Sequence, residues 1–579
     1  MLAMSHSLSI KQNILLIGVL SLVGSFLYSN SAIAQNFEPL TPDSVQPDFE
    51  PEHNRTLPAP IEPLNTIPTQ LPESGADIPG TIVVTEFEFI GSTVFNSAEL
   101  NQAIANFINR PISFAQLVEA ANQITQLYVS RGYITTGAYI PEQSLDSNTV
   151  KIQIVEGSLA AIEVNVAGRL KENYIRDRIA NKISTPLNIN QLQSTLQLLQ
   201  LNSQIESLNA ELSSGIEPGT NILNVSVISA DSFTIQTRLN NSRNASIGTF
   251  ERGVQLEEAN LLGIGDRFAL AYDNTDGSDR YTVGYTLPIN ARDGTLGFNF
   301  RGIDNEIVQS SFESIDIDIQ SRNYDLTLRQ PVLQQATPEV SQELALGITV
   351  ARRTSNGTVM NEPQPLTPGA DENGEIRTSV VSFSQEWLQR NRQQVISARS
   401  QFNLGLDLDA TTLTQEPDSQ FFSWRGQFSY LQALNQSESV FVPILLLRSE
   451  LQLAAEPLIS TEQFSLGGAS TVRGYRQDAL LTDSGFLATA EFRLPFARLD
   501  GINATLQFAP FIDFGTGWNN DDEATEFDTL IGTGFGLLVQ TPESFSARID
   551  WGIPLINNSD QGSSLQEDGL YFQLQYEPF

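Results

Sequence analysis

The C-terminal part of the chain lacks helical periodicity, and this feature constrains the fold most. From about residue 231 to Phe579, apolar and polar residues alternate in short runs that are separated by polar turns. Alternation with period two is typical of β-strands whose two faces meet different surroundings. Sixteen such runs can be counted, at about 22 residues for each strand with its connection. After residue 34, no apolar run approaches the length of a membrane-spanning helix, which leaves a soluble protein or a β-barrel.

The connections between these runs alternate in length. Short turns such as NARDG and TPESF alternate with long polar loops such as VMNEPQPLTPGADENGE and NNSDQGSSLQEDG. Outer-membrane barrels have short periplasmic turns and long external loops, whereas a soluble β-sandwich has no reason for this alternation. We therefore predict a mainly β protein whose residues 231–579 form a sixteen-stranded, antiparallel, transmembrane β-barrel.

The first 34 residues have the three parts of an export signal. Lys11 gives the positive start, Ile14–Leu27 form the apolar core, and Ala34 ends a small-residue cleavage site. Residues 35–80 are rich in proline, a composition that favours an extended linker over helix or sheet. We therefore predict a signal peptide over 1–34 and a linker over 35–80.

Two α/β units are predicted between the linker and the barrel. In the first, over residues 81–157, a strand is followed by two helices and two further strands. Asn96 and Glu99 have capping-box spacing at the start of the first helix, and Gly132 is expected to end the second. The order strand, helix, helix, strand, strand repeats over residues 158–230, as a repeat of fold without repeat of sequence.

Composition excludes several classes of function. The formal net charge of −35 argues against nucleic-acid binding, because phosphates must be neutralised by Lys and Arg. There is no cysteine, and outside the predicted signal the sequence holds one histidine, His53, so thiol catalysis, a Ser-His-Asp triad and a multi-histidine zinc site are disfavoured. We expect no enzymatic activity and no cofactor. The acidic excess fits a solvated surface, or acidic external loops or an acidic pore.

One long connection carries an arginine at a glycine-rich position. The stretch GGASTVRGYRQD, from Gly467 to Asp478, lies within the longest connection, which is the sixth external loop of the predicted barrel. On a following strand, the alternation turns Asp513 toward the lumen beside small residues. If the loop folds back into the barrel, Arg473 can form a bidentate pair with Asp513. The alternative is a solvated loop arginine and a carboxylate that merely lines a wet pore.

Both stretches resemble motifs of a known superfamily. VRGYRQDALLTDSG (Val472 to Gly485) is similar to the VRGY loop motif of the BamA-like outer-membrane translocators, and FIDFG (Phe511 to Gly515) resembles their F-x-D-x-G strand motif. Two preceding modules similar to POTRA domains point to the two-partner secretion transporters, the exporters of haemolysin and filamentous haemagglutinin. The resemblance covers residues 81–579 and implies export of an unfolded partner protein through the barrel without ATP.

The resemblance also implies site residues and partners. It assigns Arg473 and Asp513 as the lumenal pair that anchors the sixth loop. The other residues that it marks are the motif residues and the terminal aromatic read by the barrel-insertion machinery: Val472, Gly474, Tyr475, Phe511, Gly515 and Phe579. The expected partners are a secreted exoprotein that docks on the POTRA-like modules in the periplasm, outer-membrane lipid, and the barrel-assembly machinery during biogenesis.

Three departures from the family pattern limit what the resemblance implies. Residues 35–80 are too proline-rich for a convincing plug helix, and the apolar face of the last strand is out of phase with Phe579. In addition, the resemblance does not specify which protein is exported.

A BamA-like insertase is the nearest alternative function, although it would be expected to have three to five modules. A diffusion porin is less favoured, because the modules and the loop motif would have no purpose there.

Overall fold

The structure of the protein is a computed structural model. It describes residues 80–144, 148–309, 316–366, 369–411, 417–435, 441–520, 529–542, 544–556 and 564–578. The predicted signal peptide, the proline-rich segment up to residue 79 and Phe579 lie outside the described residues. Among the described residues, no helix is both long enough and apolar enough to cross a membrane.

Helices occur only before residue 231 in the described part of the chain, apart from one 3₁₀ turn at Ala245–Ile247. They are α1 (Ser97–Ala103), α2 (Phe114–Ser130), α3 (Glu172–Lys182) and α4 (Ile189–Gln200). The strands that accompany them are β1 (Thr81–Val83), β2 (Glu86–Ile90), β3 (Pro111–Ser113), β4 (Gly137–Tyr139), β5 (Thr149–Val155), β6 (Ser158–Ala167), β7 (Ile205–Ser214) and β8 (Thr220–Ser229).

The strands after residue 231 are longer, except for three short pieces in loops. They are β9 (Phe233–Asn240), β10 (Glu251–Glu258), β11 (Arg267–Asn274), β12 (Ser278–Pro288), β13 (Thr295–Glu306), β14 (Ile317–Ala336), β15 (Val340–Val359), β16 (Glu362–Pro363), β17 (Glu375–Asn391), β18 (Gln394–Leu406), β19 (Phe422–Ala433), β20 (Ile444–Ala454), β21 (Phe464–Leu466), β22 (Leu480–Thr482), β23 (Ser484–Leu499), β24 (Ala504–Trp518), β25 (Thr529–Gln540), β26 (Phe545–Pro554) and β27 (Leu570–Tyr576).

The first α/β unit packs two helices on a three-stranded sheet with the order β2-β5-β4. The predicted capping box is present, since the Asn96 side chain accepts from the Glu99 amide and the Glu99 side chain accepts from the Asn96 amide. After α2, Gly132 has a φ of 91°, as expected for a residue that ends a helix. The prediction missed one feature: the first predicted strand is divided, and its first part, β1, pairs with β3 instead of joining the main sheet.

The second unit has the predicted order of elements and rests on the barrel. Its sheet has the order β6-β8-β7, and α3 and α4 cover one face. Arg178 of α3 donates from Nε to Asp293 Oδ1 in the turn between β12 and β13 at 2.7 Å, and its guanidinium lies 3.5 Å from the Tyr174 ring centre. Lys182 Nζ donates to Gln334 Oε1 at 2.6 Å. These contacts connect the second unit to the turn between β12 and β13 and to the end of β14.

Sixteen strands close into an antiparallel barrel, as the sequence predicts. Each pairs with the next along the chain, β15 pairs with β17 past the two-residue β16, and β27 pairs with β9 to close the ring. Along β24, the apolar Phe508 and Ile512 are exposed on the outer face, whereas Gln507 and Asp513 are buried on the inner face. The period-two pattern of the sequence therefore separates a lipid face from a polar lumen.

A carboxylate in the first unit is held by several donors. Glu156 accepts from the Thr93 amide at 2.7 Å, from the Val94 amide at 3.1 Å and from the Tyr128 hydroxyl at 2.7 Å. Burial acts to raise the pKa of Glu156, but the hydrogen bonds from Thr93, Tyr128 and Val94 outweigh it and hold the pKa below its usual value. A lowered folded-state pKa stabilises the unit above the ordinary carboxyl pKa, and this contribution is lost as the pH falls through the folded-state pKa.

We therefore predict that Glu156→Gln makes the stability of the first unit less dependent on pH in the acidic range. In the full-length chain, the hydrogen-exchange protection of the Thr93 and Val94 amides should fall between neutral and acidic pH in the wild type. The variant should be less protected at neutral pH and should change less with pH. Glu119→Gln, at an exposed site on α2, is the matched control and should behave as wild type. Equal pH dependence in Glu156→Gln and wild type would contradict the prediction.

Candidate functional site: a loop anchored inside the barrel

The long connection between β20 and β23, residues 455–483, is here called loop six. It contains a feature that the sequence analysis did not predict, a small hairpin in which β21 pairs with β22, with Phe464 opposite Thr482 and Leu466 opposite Leu480. Three-residue strands are too short to show an alternating pattern. The hairpin carries the segment between Gly467 and Ala479 into the barrel, and Arg473 lies near the middle of that segment.

The bidentate pair expected from the sequence is present in the structure. Arg473 Nε donates to Asp513 Oδ2 at 2.8 Å, and Nη2 donates to Asp513 Oδ1 at 2.8 Å. The backbone amide of Arg473 also donates to Asp513 Oδ2, at 3.1 Å. Arg473 is 6% exposed and Asp513 is 0% exposed. One carboxylate therefore binds both the side chain and the main chain of the loop. It neutralises the charge of Arg473 and also fixes the position of the loop.

Neighbouring residues of the strand motif shape the site around the guanidinium. The guanidinium lies over the ring of Phe511, with 3.4 Å between the guanidinium carbon and the ring centre. Phe511 precedes Asp513 by two residues, so both side chains point into the lumen. At Gly515 a Cβ would lie 2.8 Å from the side chains of both Leu466 and Val472. The strand motif thus supplies an aromatic ring and a carboxylate that contact Arg473, and a glycine that leaves space for the loop.

Two glycines outside the predicted motifs make the same kind of gap. A Cβ on Gly532 of β25 would lie 1.9 Å from the Arg473 carbonyl oxygen, and one on Gly552 of β26 would lie 2.4 Å from the Gly474 amide nitrogen. Gly474 itself has a φ of 104°, a left-handed conformation that disfavours other residues. The loop therefore lies directly on the barrel wall, with backbone against backbone.

Aromatic hydroxyl groups hold the residues after Arg473. The Gly474 amide donates to the Tyr571 hydroxyl at 2.9 Å, and that hydroxyl donates to the Tyr475 carbonyl. The Tyr475 hydroxyl lies 3.0 Å from the Ile531 carbonyl oxygen and 2.9 Å from that of Ile556. Val472 and Tyr475 belong to a buried apolar cluster that loop six shares with the wall, composed of Phe464, Leu466, Val472, Tyr475, Leu480, Leu487 and Leu530.

Further charged residues extend the pair into a network, and sequence reasoning did not identify this. Arg473 Nη1 donates to Glu491 Oε2 at 2.8 Å, and Glu491 also accepts from Arg493 and Arg548. Arg548 in turn pairs with Asp550 through Nε at 2.6 Å. We call Arg473, Asp513, Glu491, Arg493, Arg548 and Asp550 the anchor network. Its three cations and three anions come from loop six and from β23, β24 and β26, so no short motif could reveal it.

Two polar side chains of β20, Glu450 and Gln452, also face inward. Glu450 lies 3.2 Å from Arg425, and Gln452 donates to the backbone carbonyls of Glu462 and Asp483 at 3.0 and 2.9 Å. The two Gln452 bonds connect β20 to loop six at Glu462 and at its last residue, Asp483. The predicted insertion residue Phe579 lies outside the described residues.

The sequence matches two known protein families. Residues 219–539 match the family described as haemolysin secretion/activation protein ShlB/FhaC/HecB, and residues 82–157 match the POTRA domain of ShlB type. The outer membrane transporter CdiB of Dickeya dadantii is 23% identical over 546 residues, which cover 90% of this chain and 92% of the relative. The heme/hemopexin transporter protein HuxB of Haemophilus influenzae is 24% identical over 495 residues, which cover 80% of this chain and 82% of the relative.

A solved structure has the same fold. CdiB from Escherichia coli superposes with a TM-score of 0.66 at 19% identity, over 88% of this chain and 93% of that chain. The family match spans more than half of the sequence. The chain therefore belongs to the ShlB/FhaC/HecB family of haemolysin secretion/activation proteins, as an outer-membrane transporter whose POTRA domain lies on the periplasmic side.

Proposed function

We propose that this outer-membrane translocator exports an unfolded partner protein through its own barrel, in two-partner (type V) secretion, and that the anchor network holds loop six for this purpose. One observation carries the proposal: a buried, fully paired arginine holds a loop inside a sixteen-stranded barrel. The two α/β units lie at the end of the barrel opposite that loop. The barrel provides the path, and the loop controls it.

The two α/β units are proposed to capture the partner protein. In the first unit the sheet order is β2-β5-β4, so β2 and β4 are its edges. An extended segment of an unfolded chain can add to such an edge through main-chain hydrogen bonds, which do not depend on its sequence. Because the second unit is fixed to the barrel through Arg178 and Asp293, a segment bound nearby is held close to the entrance of the lumen.

The polar lumen fits the passage of an extended polypeptide. The inward-facing side chains of Gln452 and Glu491 form hydrogen bonds with loop six, and Glu450 forms an ion pair with Arg425 of the wall. Passage requires many weak contacts in place of one tight binding site. Export without ATP is consistent with this lumen.

The proposed partners of the barrel itself are the outer-membrane lipid and, during biogenesis, the barrel-assembly machinery.

A BamA-like insertase is the second candidate. BamA from Haemophilus ducreyi without its POTRA domains 1–3 shares the fold, with a TM-score of 0.50 at 16% identity, over 86% of this chain and 100% of that chain. Fold alone does not assign a function. Two α/β units favour a translocator over an insertase, and a diffusion porin would need neither these units nor an anchored loop.

Arg473→Ala and Asp513→Ala are each predicted to reduce secretion much more than barrel insertion. Either change leaves a buried charge without its main partner, at a cost of about 3–5 kcal/mol. The strand hydrogen bonds of the barrel are unaffected. Because the two residues act as one unit, the double alanine variant should be no worse than the worse single variant. Secretion of the partner protein and heat-modifiable mobility of the barrel are the measurements, and additive secretion defects would contradict a shared anchor.

Gly532→Ala is predicted to impair secretion by displacing the loop, because the added Cβ would overlap the Arg473 carbonyl oxygen. The matched control is Gly297→Ala on β13, where a Cβ has 3.7 Å to its nearest neighbour, Thr286 Oγ1. Both glycines lie in barrel strands, so a general effect of Gly→Ala on strands would appear in both variants. Equal secretion by the two variants would argue against the close approach of loop and wall.

Deletion of residues 81–157 is predicted to abolish secretion while a heat-modifiable barrel still reaches the membrane. The first unit has its own buried core around Leu117, Ile124 and Tyr128, which the barrel does not share. The matched comparison is a chain with Val150→Asp, which disrupts that core without shortening the chain. Normal secretion by the deleted chain would exclude a docking role for the first unit.

A further inference from the structure

Loop six spans the lumen from one side of the barrel to the other. Its anchored part lies on β23, β24 and β26, as described above. Its first part, residues 456–463, here called the crossing segment, contacts β15 and β17. In the ring of sixteen strands, β15 is the seventh strand and β26 the fifteenth, so the two contact areas lie on opposite walls.

An apolar contact seats the crossing segment on the far wall. Leu458 is 1% exposed and packs in a buried cluster with Ala351 of β15, Val380 of β17 and Phe421. Ala351 and Val380 are directly paired across the two strands. Around them the inner wall is polar, with Ser382 and Thr378 flanking Val380 on the same face. Leu458 of loop six therefore fills an apolar site on this part of the wall.

An ion pair holds the same segment four residues later. Arg353, on the inner face of β15, donates to Glu462 of the crossing segment, and the side chains are 29% and 9% exposed. A small cavity lies beside this pair, and the residues that line it include Arg353, Thr378 and Thr461. Within the described residues, the buried hydroxyls of Thr378 and Thr461 have no hydrogen-bond partner. Because the Arg353 side chain is partly exposed, water weakens this ion pair relative to a fully buried one.

The two attachments of loop six differ in how readily they can open. The anchor network has six charged groups, and removal of Arg473 from it would leave Asp513, at 0% exposure, without its main cation. On the β15–β17 wall, the crossing segment is held by one leucine and one partly exposed ion pair. Its other bonds, from Gln452 to the Glu462 carbonyl and from the Leu458 amide to Asp483, lie away from that wall. If the loop moves to clear a path, the weaker attachment separates first.

We propose that the crossing segment is a latch that closes the lumen, and that export requires Leu458 and Glu462 to leave the β15–β17 wall while Arg473 stays in the anchor network. This inference rests on the proposed export of a polypeptide through the barrel. Release of the latch opens the half of the lumen beside β15 and β17. The anchored tip then serves as the fixed end about which the crossing segment moves.

A disulfide between the latch and the wall tests the proposal, because the chain has no cysteine of its own. Leu458→Cys with Val380→Cys, and Leu458→Cys with Ala351→Cys, should each close the latch under oxidising conditions. Secretion should fall at least tenfold and recover on addition of reductant, with Leu458→Cys alone as the control. Normal secretion with the disulfide fully formed would overturn the proposal, as would failure of both pairs to form.

Conductance of the purified full-length protein in planar bilayers separates the latch from the proposed function, because it needs no partner protein. Leu458→Ala with Glu462→Gln should raise the mean conductance at least about twofold, and the oxidised disulfide variants should lower it. Glu372→Gln changes an exposed acid on a different external connection, between β16 and β17, and it should match wild type. Unchanged conductance in all latch variants overturns the latch, whereas a latch-dependent conductance without any secretion overturns the export function alone.

Discussion

The burial of one positive charge determines much of the structure around it. Arg473 lies inside the barrel on a loop, where an unpaired guanidinium would be strongly unfavourable. Asp513 and Glu491 neutralise it, and the ring of Phe511 covers its face. The glycines of β24, β25 and β26 let the loop backbone reach these partners. The charge specifies where the loop must lie, and the small residues make that position accessible.

The strand series and the central ion pair could be predicted because both are expressed locally in the sequence. A barrel wall has a lipid face and a polar face along every strand, so alternation recurs in each run and places Asp513 on the inner side. The Arg473–Asp513 pair follows once the loop folds inward. Even so, the residues alone left a solvated loop arginine open, and the family motifs favoured the inward position.

The remaining contacts depend on register between strands that are distant in sequence. Arg548 reaches Glu491 across 57 positions, and Gly532 meets Arg473 only because β25 pairs with β24 in one particular register. The same holds for Arg178, whose partner Asp293 lies in a barrel turn. An isolated glycine in a strand does indicate a close backbone approach, and Gly532 and Gly552 could have been identified by that signal.

The order of residues in the anchor has a consequence for the biogenesis of the protein. Loop six precedes β23, but it contacts residues of later strands. Arg473 binds Glu491, which also accepts from Arg548 of β26, and Gly474 donates to the hydroxyl of Tyr571 in the last strand. The full set of loop contacts can therefore form only after β26 and β27 have joined the wall. These contacts are long in sequence separation, so they form late. A loop six that makes all of these contacts is in this sense a marker of a completed C-terminal wall.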